Sequence, residues 1–198
     1  GISPLAGGKH VKLTVWRDGE NTAVLCFGRA AAEFPFLPGD LVDLAVALEA
    51  SEYRGETAVS IIARDIRLSG QNEDALLHSM RRYEALRRGS LPKDEAAALV
   101  PGREELAAVY RALRACPGQT AGPGQTICTG QTVCFEVLAH RQQMEYAKLR
   151  VILDILAERG LIGLELLTPE TARAAVLAVS GKVDLEASPV LKSLRAEG

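Results

Sequence analysis

Cationic and flat side chains recur in the first part of the chain where they could meet a polyanion: Lys9, His10, Lys12, Arg29, Tyr53, Arg54, Arg64 and Arg67. Lysine and arginine neutralise phosphates, and planar rings stack on bases. A small β-barrel that holds single-stranded nucleic acid needs both, arranged along one groove. Tyr53 and Trp16 are the candidate stacking surfaces. Each also has a structural reading, in which Trp16 covers an edge of the barrel and Tyr53 pins a hairpin tip. The pairs Arg81-Arg82 and Arg87-Arg88 lie on one helical stretch interrupted by Glu84, which reads as a solvated face.

Other chemistries find less support. A nucleophile needs a base within hydrogen-bond reach and a group that holds the base. Cys134 and His140 are six positions apart on one predicted helix and so fall on different faces. There is no Gly-x-Ser-x-Gly elbow, Walker loop or paired-histidine zinc motif. Cys116, Cys128, Cys134 and His140 are separated by eleven, five and five residues, which matches none of the usual zinc spacings. Cys26 reads as a small apolar core residue. The other cysteines read as unpaired thiols around a loop, since a disulfide needs an oxidising setting that nothing else implies.

Strands must position the cations. Alternation predicts strands over 9–16 and 22–28, with a reversal at Asp18-Gly19. A short helical turn through Ala30 to Glu33 follows, before Pro35 and Pro38. The stretch 39–68 then reads as a long antiparallel hairpin around the polar tip 49–56. In its second run Val59, Ile61 and Ala63 share one face, opposite Ala58, Ser60, Ile62 and Arg64. Residues 1–8 read as the tail of a truncated strand and a Gly-Gly turn. Gly1, followed at once by domain-like sequence, suggests a domain cut from a longer chain.

After residue 69 the period changes to that of helices, predicted over 73–88 and 103–115 with a short Ala-rich piece between them. Residues 117–131 hold four glycines, two prolines and no large apolar side chain except Ile127, so a poorly ordered loop is expected there. A short helix over 134–140, a longer one over 144–159, strands over 161–167 and 172–179, and a last helix from Ser188-Pro189 complete the chain. That order is the order of a winged helix. In the 144–159 helix Glu145, Lys148, Arg150, Asp154, Glu158 and Arg159 read as outward. This mixed set suits packing or protein docking better than reading a major groove. The expected class is therefore multi-domain α+β: an OB-fold barrel over 1–69, a helical linker over 70–102 and a winged-helix-like domain over 103–198.

The barrel assignment rests on a resemblance. KHVKLTV (residues 9–15), VLCFG (24–28), FLPGDLVDL (36–44), EYRG (52–55) and DIR (65–67) appear in that order. The series resembles the OB-fold domain of the RecJ family of single-stranded-DNA-specific exonucleases, and EYRG between two strands, followed by a strand ending in DIR, is its most specific part. The likeness covers residues 1–69 and continues more loosely into the carboxyl-terminal extension of some family members. It implies the nucleic-acid-binding part of a 5′–3′ exonuclease acting in DNA repair and recombination. In that family the barrel guides the strand toward catalytic domains that use manganese or magnesium. The family's Asp-His-His motif has no counterpart among His10, His78 and His140, so the implied partners are single-stranded DNA, the family's own catalytic domains and other repair proteins. The reading from a different class is a non-catalytic module that docks a repair partner or packs on a catalytic core.

Charge bounds these readings. The net charge is −2 and the pI near 6.0, so any contact with nucleic acid must be a local patch. No run of eighteen apolar residues and no charged-then-apolar leader is present, which makes a cytoplasmic location the default and a membrane partner unexpected. With manganese or magnesium added, this chain alone is expected to leave a 5′-labelled single strand intact. Loss of label that co-purifies with the chain, and that stops when one of its own residues is substituted, overturns this.

Overall fold

A computed structural model of the chain describes residues 1–53, 56–115, 131–179 and 181–197. The architecture is α+β and divides into two compact units, Gly1–Gln71 and Asn72–Gly198. The loop expected over 117–131 lies outside the described residues, apart from Gln131.

In the first unit, β1 (Ile2–Leu5), β2 (His10–Arg17), β3 (Glu20–Cys26), β4 (Val42–Tyr53) and β5 (Glu56–Leu68) form one sheet in the order β1-β2-β3-β5-β4. Neighbours are antiparallel except β3 and β5, which run parallel. Residues 27–41 make the connection that this reversal of direction requires, with a 3-10 turn at Ala31–Glu33. Asp18 and Gly19 both take positive φ, 51° and 87°, between the paired Arg17 and Glu20. That is the two-residue reversal whose twist matches the flanking strands.

Strand parity sorts the side chains. Val11, Leu13, Val24 and Cys26 are buried, so the residues between them lie on the other face. On β5 simple alternation would put Ile61 and Ile66, five positions apart, on opposite faces. The register shifts between Ala45 and Val46: Ala45 pairs with Asp65 and Val46 with Ala63, leaving Arg64 as the extra residue. A bulge of this kind resets parity. Ile61 and Ile66 consequently line the same groove of about 730 Å³, together with Leu13, Val15, Val24 and Phe36.

In the second unit, α1 (Glu73–Arg87), α2 (Lys93–Ala98) and α3 (Arg103–Arg114) precede β6 (Gln131–Cys134), α4 (Phe135–Arg141) and α5 (Tyr146–Glu158). Then come β7 (Ile162–Leu166), β8 (Thr171–Val176) and α6 (Pro189–Glu197). The three strands form a sheet in the order β6-β8-β7. Helix α5 buries nine of its thirteen residues and is the centre of this core. Tyr83, Ala96 and Leu99 from α1, α2 and the turn after it belong to the same buried cluster.

Two sequence expectations are corrected here. Arg150 is not outward but 8% exposed, with its guanidinium carbon 4.0 Å from the Phe135 ring centre and 4.5 Å from that of Tyr83. Its Nη1 donates to Tyr146 Oη at 2.9 Å and to the Pro169 carbonyl at 3.3 Å. Aromatic faces and hydroxyls replace the water that a buried cation gives up. Arg82 is not on a solvated face either. It is bonded to Glu95 at 3.0 Å and to Glu145 at 2.7 Å. Beside it, Ser79 Oγ accepts the Ala147 N–H at 2.8 Å, so α1 caps the amino end of α5, which has no side-chain cap of its own. The remaining polar residues expected to face outward are also engaged. Lys148 pairs with Glu105 on α3 at 3.1 Å, Asp154 accepts from Tyr83 Oη at 2.8 Å, and Glu158 accepts from Ser188 Oγ at 2.6 Å at the start of α6.

Burial, reinforced by the Asp154 carboxylate beside it, pushes the Tyr83 phenol up to about 12. The folded chain therefore keeps that proton after the unfolded chain, titrating near 10, has lost it. Stability falls as pH rises through this window. Relative to Tyr83→Phe, the wild-type chain should lose about 2 kcal/mol between roughly pH 10 and pH 12 in urea unfolding. Parallel profiles for the two proteins would remove Tyr83 from the titration.

Candidate nucleic-acid interface

The outer face of β2 and β3 carries what parity leaves there. Lys12 lies opposite Leu25, Thr14 opposite Ala23 and Trp16 opposite Asn21. The same register continued by one pair brings His10 opposite Phe27. The two rings meet edge to face, with centres 5.2 Å apart and planes at 79°. The Gly28 N–H donates to His10 Nδ1 at 3.0 Å. Phe27 is 52% and Trp16 68% exposed. Trp16 stands six positions along β2 from His10, the residue opposite Phe27, a span of roughly 20 Å, with Lys12 between them.

The cations expected from sequence are not equivalent. Lys9 and Lys12 are exposed, and among the described residues neither is paired with a carboxylate. Arg29, just past β3, lies 3.7 Å from Asp65. Arg64, the extra residue of the bulge, lies 3.3 Å from Glu49, and Arg67 lies 3.3 Å from its cross-strand partner Asp43. Lys9, His10, Lys12 and Arg29 are thus brought to one end of the β2–β3 pair, while Arg64 and Arg67 sit on β5 with their counter-ions. Tyr53 ends β4, but its side chain, like all of Arg54, lies outside the described residues. Sequence alone does not single out Phe27, because VLCFG reads as one apolar run. The signal was present: with Val24 and Cys26 inward, parity sends Phe27 out beside His10.

The unit as a whole is not cationic, with seven Lys and Arg against nine Asp and Glu up to Gln71. Burial raises the Cys26 thiol above its ordinary value, with Arg29 opposing, so it stays protonated beneath this face. In the second unit burial likewise raises the Cys134 thiol, which disfavours the thiolate a nucleophile needs, and His140 is exposed on α4. Among the described residues no group of three or more His, Cys, Asp or Glu side chains is placed to hold a metal ion. No helix of the described residues is long and apolar enough to cross a membrane. Comparison with protein families, with curated proteins and with solved structures gives no match.

A cation already balanced by a carboxylate releases fewer counterions on meeting a phosphate than a free one. Lys12→Ala should therefore lower the dependence of log affinity on log salt by roughly 0.7 for a single strand, and Arg64→Ala or Arg67→Ala by less. Arg81→Ala, on the exposed side of α1, is the control. Arg82 cannot serve, because its removal leaves Glu145 and Glu95 unpaired. Equal slopes for wild type and Lys12→Ala would place the strand elsewhere.

Proposed function

We propose that this chain is a non-catalytic, single-stranded-DNA-binding part of a RecJ-like 5′–3′ exonuclease, working in DNA repair and recombination, whose first unit is an OB-type barrel. The observation that carries this reading is that His10, Lys12, Phe27 and Trp16 share the outer side of β2 and β3, with Lys9 in the turn just before β2. In OB folds the face of the second and third strands, with the loops joining strands one to two and four to five, is the ligand-binding surface. Lys9 belongs to the first of those loops. The strand order, the parallel β3–β5 pair and a groove on one side suit a five-stranded, partly open Greek-key barrel. The EYRG…DIR series adds the family. Manganese or magnesium belongs, in this reading, to catalytic domains outside this sequence, and the strand is passed toward them.

For the second unit the order helix, strand, two helices and hairpin, with sheet order β6-β8-β7, supports a winged-helix reading. One observation favours protein contact over DNA contact there. The polar side chains of α5 are taken up by α1, α3 and α6, leaving little on that helix to read a groove. A docking role toward a catalytic core or another repair protein follows for residues 103–198.

The deciding experiment is anisotropy of a labelled single strand and of the matching duplex at about 50 and 200 mM salt. The single strand should bind more tightly than the duplex and weaken severalfold at the higher salt. Absence of binding at low salt, or preference for duplex, overturns the reading of the first unit.

A further inference from the structure

We infer that Phe27 and His10 together form a one-nucleotide subsite, in which a base stacks on Phe27 and the imidazole Nε2–H of His10 donates to a backbone phosphate. The inference rests on the single-strand reading above and assigns its central contact to residues other than the tyrosine and tryptophan that sequence suggests. Three observations converge on it.

The first is the fixed tautomer. His10 Nδ1 is occupied as an acceptor by the Gly28 N–H at 3.0 Å, so the neutral ring must carry its proton on Nε2. That N–H lies across the ring from Gly28 and has no acceptor among the described residues. The second is the fixed ring. Phe27 is held by the edge contact with His10, and its neighbour Cys26 is buried at 2% exposure, yet 52% of Phe27 remains open. A single exposed phenylalanine needs no explanation by itself. Here it is the aromatic partner of an oriented donor, which is a different matter. The third is charge. Lys12 follows on the same face and Lys9 is the residue before His10 in the chain, both exposed and unpaired among the described residues, so cations flank His10 in sequence. Stacking supplies base-tolerant affinity, and an N–H aimed at a phosphate fixes where the sugar-phosphate chain runs.

The test uses the whole chain and a labelled single strand. Phe27→Leu should weaken binding about tenfold at fixed salt without changing the salt slope, and Phe27→Trp should restore it. The informative histidine substitution is His10→Asn, whose amide oxygen can stand where Nδ1 stood and still accept from Gly28, while the Nε2–H is gone. It should keep the wild-type melting temperature and still weaken binding about fivefold. If Phe27→Leu and His10→Asn both bind like wild type while Lys12→Ala weakens binding, the subsite is wrong and the single-strand reading stands. If His10→Asn binds like wild type while Phe27→Leu weakens binding, the histidine only positions the loop and the phosphate contact is wrong. If wild type itself binds no single strand at low salt, both readings fall together.

Discussion

Parity along β2 and β3 is the constraint on which the proposed interface depends. Each strand has two faces, and burying Val11, Leu13, Val24 and Cys26 leaves no choice about where His10, Lys12, Leu25 and Phe27 go. A slip of β2 by one residue against β3 would send Lys12 inward and Val11 and Leu13 outward. The cost of burying Lys12 unpaired far exceeds anything such a slip could regain. The Asp18-Gly19 turn holds the register from the other end, because a two-residue loop with positive φ at both positions closes Arg17 onto Glu20. Core and interface are therefore two consequences of one pairing. The bulge at Arg64 applies the same rule in reverse, inserting one residue so that Ile61 and Ile66 both reach the groove.

The second unit is governed by a different constraint. Helix α5 is apolar nearly all round, and the ends and flanks of such a helix must still satisfy polar groups. Neighbouring helices do this from outside: Ser79 and Arg82 of α1 at its start, Glu105 of α3 alongside, and Ser188 at its end. Arg150 is the extreme case. Burying a guanidinium is costly, and here the cost is offset by Phe135, Tyr83 and Tyr146 rather than by a directly bonded carboxylate. Asp154, the nearby acid, is itself pushed above the usual carboxylate range by burial, and it takes the Tyr83 hydroxyl proton as its hydrogen bond. Such a cluster gives α1 and α5 one relative placement.

What was legible in sequence, and what was not, divides by range. The alternation of residues 57–66 and the helical spacing of 73–88 are local signals, and strands and helices stand there, with Asn72 capping α1 through its side chain at 3.0 Å. Ser188-Pro189 as cap and first turn is equally local. Strand β6 is not: Gln131-Thr132-Val133-Cys134 closes a Gly-Gln-Thr repeat and becomes a strand only through pairing with β8, some forty residues on. Arg150 reads as outward because a charge in an apolar helix usually is, and nothing local announces Tyr83, which is 67 positions away. For the interface, the cationic candidates could be named from composition, but their counter-ions could not. Glu49, Asp43 and Asp65 become partners of Arg64, Arg67 and Arg29 only once the strands are laid side by side.

Those ion pairs also bear on how such an interface could work. A surface that grips nucleic acid by charge alone accumulates unpaired Lys and Arg, and its affinity then collapses with salt. The first unit has fewer basic than acidic residues, and Arg17, Arg29, Arg64 and Arg67 are each already near a carboxylate. Exposed pairs of this kind contribute little to stability. In the proposed reading, such pairs lower the positive potential of the surface around them, so that a strand would meet Lys9 and Lys12 and not the whole surface. Weak electrostatics combined with aromatic faces suits a guide: stacking is tolerant of base identity and can be made and broken one nucleotide at a time. A tightly binding cationic groove would oppose movement of the strand toward a catalytic centre, whereas a short stacking path with few phosphate contacts does not.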